Sequence, residues 1–423
     1  MRRWSRPSNR TGDYSKNGRT GATRPKLRLI TLNLGNAGLG VERQNQARTN
    51  EIMRAMEKVK FDIIGLSETH TQKAMKSEKW TDGQLAGAEI HTSKQDGKIG
   101  GVGFIVHKEM TKFVQEVRLI SHRIATLQLK LPKQRPLKII QVYAPHSGYD
   151  DEEIENFYSE VEQHLDDPRK TTIIMGDFNA KLGPRQGEEW HIGSHSAETR
   201  NNSGDKLAAF AHANHFYVMN GFFEKPISKR WTWRSNMPQM PNSEIDYILS
   251  NSKQLVTNVE VISQLDVRSD HKAVRATLNM EKGKVRKTRP QKEILEPTLK
   301  ESIKAADWKS SERRITRRYE EFLSTLKKCL TTAEKEKAKN HCPRITDDTA
   351  KMLKALAEEK RKGTNPQECK RLSKSVRKKL ESDYEEYKTK KLLETAEQRK
   401  SLKQCQEKNG WKPRKTEKNG ETS

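Results

Sequence analysis

The residues best suited to chemistry in this 423-residue sequence stand where apolar runs stop. Asn33 follows LITL, Glu68 follows IIGLS and Tyr143 follows IIQV. Asp177 and Asn179 follow TIIM within GDFNA. Asp246 opens IDYILS, and Asp270 and His271 sit in RSDHKAV. Ligand sites in α/β sheets form at strand ends, where these groups would lie. Carboxylates and an amide, with no cysteine near them, suit hard cations that prefer oxygen. A carboxylate beside an imidazole, as in SDH, suits metal binding or acid–base work.

Each residue alone has a structural alternative. An Asn after a strand is often a turn residue, and Glu68 in SETH could cap a helix. Tyr143 could be a core tyrosine with its hydroxyl satisfied. Asp246 could pair with a surface arginine. GDFNA carries more weight, because Asp and Asn two apart project on one side of a turn. At Trp231, Thr232 and Trp233, at least one indole has core packing as its alternative.

A sheet-rich scaffold must supply these ends. Leu27 to Leu34 alternates and carries branched residues, which predicts a strand. Phe61 to Leu66 is a nearly continuous apolar run, as in a buried strand. More strands are predicted over Val102–Val106, Ile124–Leu131, Leu137–Val142, Thr171–Met175, Ile245–Leu249 and Lys272–Leu278. Helical spacing marks Gln44–Val59, Asp151–Leu165 and Ser203–Asn214. Strands of both kinds among helices imply an α/β or α+β sandwich.

Hydrophobic residues make up 32% of the chain and charged residues 33%, so part of it should lack a packed core. The net charge of +26 is uneven. Residues 1–26 carry +7, residues 27–282 only +2, and residues 283–423 +17. We read 1–26 as a disordered basic arm, 27–280 as the globular domain and 281–423 as a basic, mostly helical tail. Polycationic flanks suit nucleic acid, anionic lipid or acidic proteins. In the tail, Ile315, Tyr319, Phe322 and Leu326 form one apolar stripe. Weaker stripes are Met352, Leu353, Leu356 and Leu372, Val376, Leu380. They predict amphipathic helices packing on each other or on a partner protein. The four cysteines all lie in this tail at spacings that fit no zinc motif, which points to a reducing compartment. The basic start has no apolar stretch and so is no secretion signal. No segment approaches the ~20 apolar residues of a membrane span.

TLN, SET, VYAP, GDFNA, IDYIL and SDH occur in that order from Thr31 to His271. This set closely resembles the endonuclease/exonuclease/phosphatase superfamily. GLSETH, GGVGFIVHK, GDFNAKLG, RWTWRS and EIDYIL resemble, more narrowly, endonucleases of non-LTR retrotransposons of the RTE/Bov-B type. The resemblance implies an α/β fold: a DNase I-like two-sheet sandwich with helices outside two packed mixed sheets. The basic helical C-terminal tail resembles the linker before the reverse transcriptase of those elements. No YxDD-type motif follows, so the sequence reads as an endonuclease module without a polymerase.

The resemblance implies a Mg²⁺-dependent DNA endonuclease leaving 3′-hydroxyl and 5′-phosphate ends, with Mn²⁺ as a substitute. Asn33 and Glu68 are implied as metal ligands, with Asp270 contributing from the far side. Asp177 is implied as the base for the attacking water, and Asn179 as its orienter. If two ions act, Asp177, Asn179 and His271 become ligands of the second. Otherwise His271, fixed by Asp246, donates to a phosphate oxygen, and Tyr143 adds a hydroxyl. Thr232 and Trp233 are implied as DNA contacts.

Two other readings share these residues. One is a phosphatase or lipid phosphodiesterase of the same superfamily. The other is a chromatin or nucleic-acid-binding protein whose site is idle. Basic flanks and retroelement-like motifs weigh against the first, and the intact motif set weighs against the second. The expected partners are DNA and a protein for the tail helices, with no membrane. The basic clusters Lys284–Arg289 and Arg377–Lys379 imply a nuclear, or nuclear and cytoplasmic, location and not secretion.

Overall fold

The structure is a computed structural model. It describes residues 26–35, 38–39, 46–97, 99–132, 134–165, 170–187, 189–196, 198–235, 237, 241–280, 292–294, 296–309, 314–336, 344–362, 365–398 and 400–409. The basic arm before Lys26 and the Lys284–Arg289 cluster lie outside these residues.

Two mixed sheets pack face to face. The first contains β1 (Lys26–Asn33), β2 (Ile63–Ser67), β3 (Met75–Lys79), β4 (Glu89–Thr92), β5 (Val102–Val106), β12 (Val256–Ile262) and β13 (Ala273–Asn279). The second contains β6 (Val114–Leu119), β7 (Ile124–Leu129), β8 (Leu137–Tyr143), β9 (Thr171–Asp177), β10 (Tyr217–Val218) and β11 (Asp246–Ser250). Their orders are β12-β13-β1-β2-β5-β4-β3 and β10-β11-β9-β8-β7-β6. Each has one parallel pair at its heart, β1 with β2 and β8 with β9. A parallel pair needs a crossover. α1 (Gln46–Met56) provides the first, and α2 (Asp151–Gln163) the second.

Strand alternation divides the apolar residues between layers. Leu27, Leu29, Phe104, Leu127, Met175 and Val274 fill the space between the sheets. Ile30, Leu32 and Ile64 face outward beneath Ile52 and Met56 of α1. Ile140, Ile174 and Leu249 face outward beneath α2 and α3 (Asn202–Ala213). Burial on both faces explains the near-continuous apolar runs. Asp150 caps α2 by accepting from the Glu153 amide at 2.7 Å, and Asn201 caps α3 by accepting from Gly204 at 2.8 Å.

The helices of the tail pack back on the sandwich. After α4 (Glu296–Ala305) and α5 (Ile315–Ala333) come α6 (Asp347–Lys362) and α7 (Pro366–Glu397). Leu356, Val376, Leu380 and Tyr384 close over Ala209 and Ala213 of α3. The partner these two stripes meet is the chain's own sandwich. Buried arginines fasten the contact. Arg377 donates to Glu155 Oε2 at 3.0 Å and to Ser159 Oγ at 2.9 Å, and it pairs with Glu162. Arg344 donates to the Gln186 carbonyl at 2.6 Å and pairs with Glu189 at 2.7 Å. Lys388 reaches Asp205 at 2.8 Å. The Arg377–Lys379 cluster is therefore no exposed basic triplet, because Arg377 faces inward. The stripe on α5 stays open: Ile315, Tyr319 and Phe322 are all exposed. Among the described residues no helix is long and apolar enough to cross a membrane.

Candidate active site

Strand direction gathers the chemical residues. Parallel neighbours deliver their last residues to one edge, and an antiparallel neighbour delivers its first residue there. Asn33 ends β1 and is paired in register with Ser67, the residue before Glu68. Tyr143 ends β8 opposite Asp177, which ends β9. Asp246 begins β11 opposite Asp177. His271 stands two residues before β13, the antiparallel neighbour of β1.

Asn33 joins the two sheets. Its Nδ2 donates to Glu68 Oε1 at 2.9 Å and to Asp177 Oδ2 at 3.0 Å. Its Oδ1 accepts from the Gly35 amide at 2.8 Å, which fixes the amide's orientation. Asn33 thus presents N–H groups to the carboxylates, not the carbonyl expected of a metal ligand. Gly35 has φ of +63°, and a Cβ there would come within 2.7 Å of Asp270 Oδ1. The turn needs glycine on both counts.

Glu68, His70 and Asn179 have φ of 51°, 49° and 48°, in the left-handed region that side chains seldom occupy. Such strain costs about 1–3 kcal/mol and persists where the surroundings hold it. Asn179 is held by its amide, which donates to Asp177 Oδ1 at 2.8 Å, and by Nδ2, which donates to the Ala144 carbonyl at 2.9 Å. At Glu68, burial works to raise the pKa. The nearby His70 imidazole, the Asn33 amide and the Tyr143 hydroxyl outweigh it and leave the carboxyl below its usual range. Tyr143 moves the other way. Burial and the charges of Glu68 and Asp177 hold its hydroxyl protonated.

Asp246 and His271 form the buried half of the site. Asp246 Oδ2 lies 3.0 Å from His271 Nδ1, while His271 Nε2 points toward Asp177 Oδ2 at 4.0 Å. Burial alone would lower the imidazole pKa. The charge and hydrogen bond of Asp246, with Asp177 and Asp270, push it up to about 9. For Asp177, burial and the charge of Asp246 push the pKa up to about 7, against the pull of His271, the Asn179 amide and Asn33.

Thr232 is fully buried. Its hydroxyl accepts from the Ile245 and Asp246 amides at 3.0 and 3.1 Å. It braces the start of β11 and is buried, where the sequence reading expected a DNA contact. Trp233 is half-buried, and its indole N–H donates to Asp270 Oδ2 at 2.9 Å. Trp231 carries the Lys272 ammonium 3.2 Å from its ring centroid. Three further residues were not singled out in the sequence. His70 Nε2 lies 3.5 Å from Glu68 Oε2, and it stood in plain view within SETH. The Arg123 guanidinium lies 5.5 Å from the Tyr143 ring centre. Gln141 is buried beneath the site. Neither of the last two belongs to a recognisable motif.

The donor set fits a hard cation. Asp177 and Asp246 flank the His271 imidazole, Glu68 is tied to Asp177 through the Asn33 amide, and Asp246 Oδ1 has no hydrogen-bond partner. Ligand atoms of Asp177, Asp246 and His271 lie within 4.8 Å of one another. Buried like charges call for a counter-ion. Carboxylate oxygens of Glu68, Asp177 and Asp246 are the groups in this site that would suit such an ion.

The sequence pattern of the endonuclease/exonuclease/phosphatase family matches residues 30–271, more than half of the chain. The chain is 27% identical over 256 residues to craniofacial development protein 2 of Bos taurus, covering 59% of this chain and 41% of that protein. It is 26% identical over 284 residues to the Tragulus javanicus protein of the same name, covering 64% and 47%. The chain thus spans less than half the length of these curated relatives. Among solved structures it is similar to the catalytic domain of Xenopus laevis APE2, at TM-score 0.43 and 15% identity over 60% of this chain and 92% of that one.

Proposed function

The chain belongs to the endonuclease/exonuclease/phosphatase family, and from that premise we propose that it is a Mg²⁺-dependent DNA endonuclease derived from a non-LTR retrotransposon. The observation that carries the reading is the meeting of Glu68, Asp177, Asn33, Asp246 and His271 at one edge of the two sheets. Members of the family are hydrolases, which supports the reading. The basic composition and the retroelement-like motifs favour DNA over a small phosphate ester.

In this reading a divalent ion on Glu68 would neutralise the scissile phosphate and its leaving oxygen. The protein groups do the rest. Asp177, with its raised affinity for a proton, takes one from the attacking water. Asn179 orients that water. His271, charged and fixed by Asp246, donates from Nε2 to a non-bridging oxygen. Tyr143 keeps its proton and donates it as a hydrogen bond. Asp270 takes the Trp233 indole and so sets one wall of the site. The products are a 3′-hydroxyl and a 5′-phosphate. The Lys284–Arg289 cluster supports a nuclear, or nuclear and cytoplasmic, location.

Plasmid nicking tests the proposal. The expected result is relaxation of supercoiled DNA with Mg²⁺ or Mn²⁺ and none with EDTA. DNA binding without any nicking would leave an idle nucleic-acid-binding protein. Release of phosphate from small esters without nicking would indicate a phosphatase.

A further inference from the structure

Polar side chains interrupt the apolar layer between the sheets at one place. Gln141 on β8 is fully buried and reaches across to the opposite sheet. Its Nε2 donates to Thr31 Oγ1 of β1 at 3.1 Å and to Ser67 Oγ of β2 at 2.9 Å. Ser67 Oγ donates back to the Val142 carbonyl at 3.2 Å. Thr31 and Ser67 are also fully buried. Space for the amide is made at Gly65, where a Cβ would lie 1.9 Å from Gln141 Oε1. No other residue type leaves that room.

The place of this knot along the strands gives it meaning. Thr31 precedes Asn33 by two residues, and Ser67 immediately precedes Glu68. Gln141 precedes Tyr143 by two. The knot therefore lies within about 7 Å of the site, at most two strand residues at about 3.3 Å each. Apolar surfaces can slide past one another with little change in energy, whereas hydrogen bonds fix a register. Asn33 must reach carboxylates on both sheets at once, at 2.9 and 3.0 Å. A slip of one sheet by a fraction of a residue would break one of those bonds.

We infer that Gln141 is a positioning residue that sets the alignment of the two sheets for catalysis. The inference rests on the nuclease reading of the site. It concerns rate, not the affinity for DNA, because the knot touches no surface.

The test is a triple variant of the full chain, Thr31→Val with Ser67→Ala and Gln141→Leu. Removing all three polar side chains together leaves none of them buried without its partner, so stability should hold or rise. Its urea midpoint should be at or above that of the original chain, while kcat for plasmid nicking falls on the order of tenfold, as for a misplaced catalytic group. KM for DNA should stay unchanged. The rise in melting temperature on adding Mg²⁺ should need several-fold more ion. The single Gln141→Leu variant, which leaves Thr31 without its partner, should show the same kcat loss. A stable triple variant with the original kcat and Mg²⁺ requirement would overturn the inference while leaving the nuclease reading intact. A triple variant that loses stability and activity in proportion would also overturn it, since packing would then explain both. A parent chain that fails to nick would instead remove the nuclease reading on which the inference stands.

Discussion

Asp246 Oδ2 lies 3.0 Å from His271 Nδ1, and both side chains are buried. The carboxylate fixes the ring's orientation, so that Nε2 faces Asp177. Two groups that work as a unit lose the same activity when either is removed. His271→Ala and Asp246→Ala should each slow nicking on the order of 10²-fold. The double variant should be little slower than either. Losses that multiply, in variants whose circular dichroism is unchanged, would mean that the residues act separately.

The site holds the Glu68 carboxyl below its usual range and so favours its charged form. Glu68→Gln keeps the shape and removes the charge. We expect the fold to survive and Mg²⁺-dependent nicking to vanish. Undiminished nicking at low Mg²⁺ would take Glu68 out of the ion site.

The Asp246–His271 pair also predicts a pH effect on folding in EDTA. His271 has a folded pKa of about 9, above its ordinary 6.5. The folded chain therefore holds this proton more tightly than the unfolded one. The stabilisation is complete below about pH 6.5 and is lost as pH rises through 9. Urea midpoints should fall between pH 7.5 and 10. His271→Gln should flatten that fall, and an equal fall in the variant would assign the effect elsewhere.

Residues 344–397 should prove part of the folded unit. A chain ending at residue 280 strips α6 and α7 from α2 and α3 and leaves Glu155, Glu162 and Glu189 without Arg377 and Arg344. Removing one partner of a buried ion pair costs about 3–5 kcal/mol. Arg377→Met should lower stability to chemical denaturation by about that much. A truncated chain as stable as the full one would show that the helical contact contributes nothing.

The sandwich was legible because its runs are long and strongly apolar. β1, β2, β5, β7, β8, β9, β11 and β13 all fall on predicted strands, and α1 to α3 on predicted helices. The edge strands were not. β3 buries only Met75, and β6 has a mostly exposed pattern, so neither carries a strong periodic signal. The site residues were readable as strand endings, yet their orientation was not. Only the Gly35 amide decides which end of Asn33 faces the carboxylates, and only the path from Ser243 to Asp246 buries Thr232. The stripes on α6 and α7 predicted a partner but could not say that α3 was it. Arg377 looked like surface charge, because sequence does not reveal that Glu155 and Glu162 converge on one side of α2.

The inward-facing cations of α7 and its approach bear on how the protein would hold a polyanion. A duplex gives up condensed counterions only where a cation reaches a phosphate. Arg344, Arg377 and Lys388 already neutralise Glu189, Glu155, Glu162 and Asp205. Beyond a Debye length, about 8 Å in physiological salt, such pairs are nearly invisible to a passing charge. The formal +17 of residues 283–423 therefore overstates their pull on DNA, and the logarithm of affinity should fall less steeply with the logarithm of salt than seventeen free cations would require.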